Sequence, residues 1–380
     1  MPTDPDAPVI VAARRTPIGT AGRSLAGYTA ADLAAAVLAD LTAGARPGSP
    51  TCEVVLGNCM GPGGDVARVA ALQAGLPVTL PALTVDRQCA SGLAAVVLGA
   101  AVLRGEEGTV LAGGVESAST APWRSWAPQG DGPATRYERA PFAPAHIGDP
   151  DMGPAAELIA AERGITRAQQ DEYAARSHAR AMATQRAGGF VGEIVPLGGV
   201  DVDERPRDGL SVARLARLRP AFDPEGAVTA GNSCGINDGA AVVTMVDAAT
   251  HHRRGGRGLR VLATATAGVD PNRPGLGIVP AATLALDRAR LRLDEVDVVE
   301  FNEAFAGQVL ACCADLRLDP ERVCPQGGAL ALGHPWGASG AVLVVRLFSQ
   351  LARGRRGRYG LAAIAAGGGQ GVAMVVEACG

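Results

Sequence analysis

The sequence contains no lysine, so arginine supplies all 35 of its strongly basic side chains. We attribute this, together with the excess of alanine and glycine, to GC-rich coding rather than to function. Acidic side chains number 38, which leaves a net charge of −3. A chain this close to neutral has no general electrostatic attraction for nucleic acid or for an anionic membrane. We therefore expect neither of them as a partner.

Long apolar runs and regular cysteine spacings are also missing. No window offers the roughly 18 uninterrupted apolar residues of a membrane span, and the N-terminus lacks the pattern of a signal peptide. The eight cysteines include no CxxC pair, and the adjacent Cys312 and Cys313 suit neither ordinary disulfides nor zinc sites. The sequence thus predicts a cytoplasmic protein with reduced thiols and no bound metal.

What the sequence does contain is a regular alternation of apolar segments. Of its 380 residues, 47% are hydrophobic and 19% are charged, which is typical of a globular protein. Short buried strands alternate with alanine-rich helices, the pattern of a layered α/β fold. Strands are predicted at 9–13, 53–57, 83–86, 109–113 and 360–366, and helices at 30–41, 89–108, 165–186 and 337–357.

One helix–strand unit occurs twice in the chain. Helices that begin with Ala-Ser-Gly, at Ser91 and at Ser339, each end in a charged glycine turn and precede a strand that stops on glycines. The turn glycines, Gly105 and Gly354, are separated by almost the same number of residues as the two serines. This match favours an internal duplication over a chance likeness. Between the copies, a Pro-rich segment and a polar helix indicate an inserted surface module, where binding residues often lie.

Three segments carry polar residues that could act chemically. Cys89 lies where a buried strand meets a glycine-containing helix, and a helix N-terminus favours the thiolate over the thiol. His334 lies in a glycine-rich loop before the second helix, and a cysteine with a distant histidine is a usual nucleophile–base arrangement. Asn302 follows an apolar strand. Each residue also has a structural interpretation, as a buried thiol, a surface histidine or a helix N-cap. The matching places of Cys89 and His334 in the two copies favour catalysis.

Taken together, these segments resemble the thiolase family of acyl-CoA acetyltransferases. The likeness spans essentially the whole chain, with motifs in the family's order: TPIG, CASGL, GGVES, MGPAAE, RLRPAF, NEAF, GHPWGASGA and GGGQG. It implies an α/β thiolase fold, a duplicated five-layered α-β-α-β-α core with an inserted loop domain. The resemblance implies three domains. The N-terminal half, which carries the nucleophile, would comprise residues 1–118 and 226–250. Residues 119–225 would form a CoA-binding loop domain, and residues 251–380 the C-terminal half. A homodimer or homotetramer is also implied.

The resemblance assigns roles to individual residues. Cys89 would become acylated, and His334 would take its proton. Asn302 would hold a water that forms one oxyanion hole with His334, and the N–H groups of Cys89 and Gly367 would form a second. The glycine run after the last helix would thus expose bare N–H groups to a thioester oxygen. The substrate would be an acyl-CoA or acyl-carrier-protein thioester, with no bound cofactor. Positions along the implied pantetheine and nucleotide path are Met152, Arg207, Phe222, Ala230, Cys234, Ala304 and Phe305.

One catalytic position departs from the family pattern. Thiolases carry a second cysteine two residues before the first of the three glycines, and this chain has Ala365 there. In the family that thiol moves the α-proton of the second acyl-CoA. A placed acid–base group contributes about 10²–10⁴-fold to such a step, so ordinary thiolysis is expected to be severely slowed. Smaller departures at Asp151, Gln326 and Trp336 could reshape the acyl pocket.

The sequence leaves four interpretations of Ala365 open. Cys234, where the family has serine, could replace the missing base or could be an exchange without consequence. A malonyl-type thioester could generate its own carbanion by losing CO₂, so that no base is needed. The acyl group could instead pass to an amine, an alcohol, a thiol or a carrier protein. Lastly, the chain could be a catalytically impaired partner subunit, although the retention of Cys89, His334 and Asn302 argues against it.

Overall fold

The computed structural model describes residues 6–43 and 51–380, so the first five residues of the predicted N-terminal half lie outside the described range, as do 44–50. The strands are β1 (Val9–Arg15), β2 (Gly19–Thr20), β3 (Thr51–Gly57), β4 (Ala82–Val85), β5 (Thr109–Ser117), β6 (Arg124–Trp126), β7 (Thr135–Tyr137), β8 (Asn237–Val246), β9 (Gly258–Gly268), β10 (Val298–Phe301), β11 (Tyr359–Ala366) and β12 (Gln370–Cys379). The helices are α1 (Ala30–Thr42), α2 (Val66–Gln73), α3 (Ser91–Val102), α4 (Met152–Glu162), α5 (Arg167–Arg186), α6 (Val212–Leu215), α7 (Ala248–Arg254), α8 (Ile278–Ala289), α9 (Ala306–Leu316), α10 (Ala329–Leu332) and α11 (Trp336–Leu347).

The predicted elements are present with shifted ends, and two of the shifts bear on the site. Helix α3 begins at Ser91 and not at Cys89, so the cysteine lies in the turn before the helix. Strand β5 continues through Gly113 and Gly114 to Ser117 instead of stopping at the glycines. A Cβ at Gly113 would lie 2.0 Å from the Ala241 oxygen. These glycines therefore mark a close backbone approach and not a strand end.

The strand order shows the duplication directly. It is β3-β5-β8-β1 in the N-terminal half and β10-β11-β12-β9 in the C-terminal half. In both halves the first pair is parallel and the next two pairs are antiparallel. Strand β4 extends the first half, and a parallel bridge between Val299 and Val323 stands in its place in the second. The equivalent strands β1 and β9 pair with each other, so the two half-sheets are continuous.

Side chains alternate across the strands and so divide the core into layers. Helices α3 and α11 lie between the half-sheets, where Leu93 and Val344 share one apolar cluster with Val243 of β8 and Val372 of β12. Helices α1 and α2 cover the outer face of the first half-sheet. Helices α8 and α9 cover the outer face of the second. The order helix, sheet, helix, sheet, helix is the five-layered core that the motifs implied.

The chain between β5 and β8 departs from this layered pattern. It contains the hairpin β6–β7 and the helices α4, α5 and α6, and it includes the segment 119–225 that we predict to be the inserted loop domain. In the described part of the chain, no helix has the length and apolar character needed to cross a membrane. Within the same residues, no three side chains of metal-binding type are grouped as a metal site would require.

The starts of α3 and α11 meet backbone to backbone at the centre of the molecule. A Cβ at Gly92 would lie 2.7 Å from the Gly337 oxygen, and one at Gly114 would lie 1.9 Å from the same atom. Side chains at these positions would force the two helices apart. Because Cys89 and His334 each precede their helix glycine by three residues, this crossing brings their segments to the same end of the central layer.

We expect Gly114→Ala to destabilise the fold because its methyl group would overlap the Gly337 carbonyl. Overpacking of this kind costs about 1–3 kcal/mol, and more where backbone must move. Chemical denaturation would measure the loss. Gly27→Ala is the matched control, since Gly27 is exposed and a Cβ there meets nothing within 4 Å. Equal stability of the two variants would contradict the close crossing.

Candidate active site

Cys89 lies in a tight elbow between β4 and α3. Gln88 adopts a φ of +48°, a left-handed conformation that is uncommon outside glycine. Its N–H donates to Asp86 Oδ1 at 2.8 Å. The Ser91 hydroxyl accepts from the Arg87 N–H at 2.7 Å and donates to the Gln88 oxygen at 2.6 Å. These bonds hold the cysteine in a defined place at the start of the helix.

The Cys89 sulfur faces backbone donors from both halves of the molecule. The backbone N–H groups of Cys89 itself and of Gly367 lie close enough to the Cys89 sulfur to favour its thiolate and so oppose the rise of its pKa. Gly367 follows the end of β11 and packs against the ring of Phe142, since a Cβ there would lie 2.4 Å from that ring. A side chain at this position would therefore have to displace the Phe142 ring. The structure thus brings together the two N–H groups that the resemblance implied for an oxyanion hole.

The surroundings keep the Cys89 thiol neutral in the resting protein. Burial raises its pKa to about 12, the nearby Cys234 adds to the rise, and the two N–H donors offset only part of it. The Cys89 N–H, just before the helix, favours the thiolate, as expected, but burial outweighs it in the unacylated protein. The physical reason is that removal of water penalises a charged sulfur more than a few N–H groups stabilise it.

His334 is oriented by two side chains. The backbone N–H of His334 donates to Asn237 Oδ1 at 2.9 Å. Gly333, at a φ of +115°, leaves room for the Asn237 side chain. His334 Nδ1 lies 2.6 Å from the Ser339 hydroxyl, which is also 2.9 Å from the Pro335 oxygen. The hydroxyl has one hydrogen, and the Pro335 oxygen can only accept. Nδ1 must then carry the ring proton, which leaves Nε2 as an acceptor.

The free ring nitrogen of His334 faces the predicted catalytic amide. Asn302 follows β10, its N–H donates to the Ala363 oxygen of β11 at 3.0 Å, and its Nδ2 lies 3.5 Å from His334 Nε2. Burial lowers the pKa of His334 to about 4. Cysteine and histidine are thus both neutral at neutral pH. An unprotonated Nε2 can accept the thiol proton at the moment of attack.

Ala365, which occupies the position of the family's second cysteine, lies on β11, the strand beside Asn302. Ala365 pairs with Gly371 of β12 and packs against the outer apolar cluster of the second half. Cys234 lies close enough to Cys89 to raise its pKa, and its N–H donates to the Ala304 oxygen at 2.9 Å. Burial raises the pKa of Cys234 to about 12, with the Arg205 cation opposing the rise. A thiol of that kind supplies little thiolate at neutral pH, which weighs against it as the substitute base.

Most residues expected along the pantetheine path lie together. Met152, Ala304 and Phe305 pack with Ala156 and Val228 in one apolar cluster, and Phe222 contacts this cluster through Phe305. The rings of Phe222 and Phe305 meet edge to face at 6.2 Å. Arg207 and Ala230 are exposed and lie outside this cluster. The lining is apolar, as the hydrocarbon parts of a pantetheine arm require.

Sequence reasoning missed the role of several supporting residues. Glu116 is fully buried and accepts hydrogen bonds from the Gly337 N–H at 3.1 Å and from Cys59 Sγ at 2.8 Å. It thereby joins the start of α11 to the loop after β3. Ser339 and Phe142 were also not assigned a role. An acidic residue inside an apolar strand was the one signal that could have indicated Glu116.

Comparisons with known proteins identify the family. The models for "Thiolase, N-terminal domain" and "Thiolase, C-terminal domain" match residues 8–249 and 258–378. The chain belongs to the thiolase family. It is 42% identical to an acetyl-CoA acetyltransferase of Pseudomonas aeruginosa over 391 residues and 42% identical to the beta-ketothiolase BktB of Cupriavidus necator over 393 residues. Each alignment covers 97% of this chain and 98% of the relative.

A solved structure agrees over the whole fold. The crystal structure of the Bacillus anthracis acetyl-CoA acetyltransferase superimposes with a TM-score of 0.91 at 37% identity, covering 98% of this chain and 99% of that one. The family and the fold implied by the motifs are therefore confirmed. The chain is an acyltransferase of the thiolase family, and the roles of its individual residues stay predictions.

We expect the alkylation rate of Cys89 by iodoacetamide to rise steadily with pH up to about pH 10, because its thiol pKa lies near 12. An unperturbed cysteine, with a pKa of about 8.5, would level off in that range. Mass spectrometry of the Cys89 peptide would follow the reaction, with a free thiol peptide as control. A plateau near neutrality would show that the resting residue is a thiolate.

Proposed function

We propose that this protein transfers acyl groups from acyl-CoA thioesters through an acyl-Cys89 intermediate. The observation that carries the proposal is the meeting of both halves at one sulfur, where the N–H groups of Cys89 and Gly367 both act on the pKa of the Cys89 thiol. Near the same helix crossing, His334 presents an unprotonated nitrogen beside Asn302. The names of the relatives, acetyl-CoA acetyltransferase and beta-ketothiolase, support acyl-CoA as the substrate class.

The chemistry follows from these positions. The Cys89 sulfur attacks the thioester carbon, and its proton passes to His334 Nε2. The charge that develops on the thioester oxygen is received by the N–H groups of Cys89 and Gly367. When the carbon–sulfur bond to CoA breaks, the leaving thiolate takes the proton back from His334. A single preorganised donor of this type is worth about 10²–10³-fold in rate.

The approach to the site suits a CoA arm. Met152, Ala304 and Phe305 form an apolar wall, and Phe222 beside them is 48% exposed. Arg207 is exposed and would meet the phosphates, because an anionic ligand is attracted by a surface cation. No resident cofactor is part of this scheme. An acyl-carrier-protein thioester, which has the same pantetheine arm, is the other donor that fits the proposal.

We expect acetyl-CoA to leave an acetyl group on the wild-type protein, detectable by intact mass, and Cys89→Ser to abolish it. The reason is that only this sulfur lies between the two N–H donors. Cys234→Ser is the matched control, since it removes a neighbouring buried thiol and should leave the adduct in place. An adduct that persists in Cys89→Ser would contradict the proposal. No adduct on the wild type would favour the impaired partner subunit.

Ala365 favours a second candidate for the reaction that transfers the acyl group from Cys89 to its acceptor. A methyl group cannot remove an α-proton, so condensation with a malonyl-type thioester, which loses CO₂ instead, needs nothing further at this position. Transfer to an amine, alcohol or thiol likewise needs only His334 and the oxyanion donors. Both variants begin with the same acyl-Cys89.

We expect Ala365→Cys to raise the cleavage of acetoacetyl-CoA by CoA about 10²–10⁴-fold, the usual contribution of a placed acid–base group. Steady-state rates with acetoacetyl-CoA, and product formation from acetyl-CoA with malonyl-CoA, would be compared for both proteins. Ala366→Cys is the control, because the next side chain along β11 points to the opposite face, into the central cluster. Wild-type cleavage as fast as that of Ala365→Cys would show that the base is not missing.

We further propose a homodimer or homotetramer in the cytoplasm. Within residues 6–43 and 51–380, strand β4 pairs with β3 alone and lies at the edge of the sheet, and its Leu83 is 43% exposed. An open edge with an exposed apolar side chain is a ready place for another chain to pair. All eight cysteines are unpaired, which suits a reducing compartment.

A further inference from the structure

A small cavity lies behind the active-site amide, between β10 and α11. Its volume is about 10 Å³, and its walls include Glu300, Asn302, Ser339 and Arg346. That is about the room that one buried water molecule needs. Two of these residues, Asn302 and Ser339, are the partners of the His334 ring.

The register of β10 places Glu300 next to Asn302. The two residues are two positions apart, so their side chains leave the same face of the strand. Val298, on that face, joins the central cluster, whereas Phe301, between them, joins the outer one. Glu300 and Asn302 therefore both face α11, which carries Arg346.

Two buried polar atoms in the cavity walls have no hydrogen-bond partner among the residues that the structure describes. They are Glu300 Oε2 and Arg346 Nε. The rest of each group is bonded, because Glu300 Oε1 accepts from Gln350 Nε2 at 2.6 Å and the terminal nitrogens of Arg346 donate to Glu193 and Gln326. An unpaired buried polar atom is costly, and a water with two or more polar partners is the usual remedy.

Two arginines and two carboxylates near the cavity balance each other's charge without Glu300. Arg15 and Arg346 are matched by Glu193 and Asp203 in one buried network. Burial raises the pKa of Glu300 to about 7, and the Arg346 cation offsets part of the rise. The other groups that face Glu300 are Gln350, Cys324 and Glu303, and the Cys324 thiol, which donates to the Phe301 oxygen at 3.2 Å, also helps to lower the pKa of Glu300. Whether ionised or protonated, the carboxyl can bond a water.

We propose that one water molecule occupies this cavity, bonded to Glu300 Oε2, Arg346 Nε and the Asn302 amide oxygen. Glu300 is thereby a positioning residue for Asn302, an inference that rests on the proposed function because Asn302 lies beside His334 Nε2, the nitrogen that takes the Cys89 proton. An amide has an accepting end and a donating end. A water that occupies the accepting end leaves Nδ2 directed at His334 Nε2.

A crystal structure at high resolution tests the water without any assay of activity. We expect one ordered density peak within about 3.2 Å of Glu300 Oε2 and Arg346 Nε, and within reach of the Asn302 oxygen. An empty cavity would overturn the proposal. The result does not depend on whether Cys89 becomes acylated, so failure of the water and failure of the proposed function are separate observations.

Kinetics of cavity variants test the positioning role. Glu300→Leu removes the water's partner and should lower kcat by up to about tenfold with KM unchanged, the size of one hydrogen bond. Glu300→Gln can still bond the water and should retain most of kcat. Val342→Ala, which changes only an apolar wall of the same cavity, should leave kcat as it is.

Two results would count against Glu300 as a positioning residue. One is a loss in Glu300→Gln equal to that in Glu300→Leu, and the other is the same loss in Val342→Ala. If Glu300→Leu does not fold, the crystal structure and the kcat of Glu300→Gln provide the test. A retained water with retained kcat supports the proposal. A lost water with retained kcat overturns it.

Discussion

The site depends on one close contact, the backbone-to-backbone crossing of α3 and α11. Gly92, Gly114 and Gly337 allow it, because any side chain at these positions would overlap a carbonyl group of the opposing segment. The crossing sets the elbow with Cys89 beside the loop with His334. It also places the equivalent serines Ser91 and Ser339 where the hydroxyl of each hydrogen-bonds to a residue just before its helix. One packing constraint thus positions groups that are far apart in the chain.

A second consequence of the buried crossing is that the reacting groups are neutral at rest. Desolvation moves the pKa of Cys89 up to about 12 and that of His334 down to about 4, in opposite senses for an acid and a base. The sulfur therefore gains its charge only as it attacks, when its proton can move to the imidazole. A site of this kind suppresses side reactions of a free thiolate while the substrate is absent.

Ala365 separates two parts of the proposed chemistry, the acylation of Cys89 and the step on the second substrate. The parts for acylation, around Cys89 and Gly367, are in place. The part that would move a proton on the second substrate is a methyl group on β11. Cys234 lies nearby, but burial keeps it protonated at neutral pH. The step on the second substrate is therefore where this chain departs from the family pattern.

The sequence by itself determined the family, the layered core and the candidates Cys89, His334, Asn302 and Gly367, because local motifs and a repeated helix–strand unit are visible along the chain. Only the tertiary structure decided the protonation of Cys89 and His334, since desolvation depends on everything packed around them. It alone also revealed Glu116 and Glu300, whose partners lie on distant strands and helices. Long-range contacts, and the exclusion of water that they cause, leave no local pattern in a single sequence.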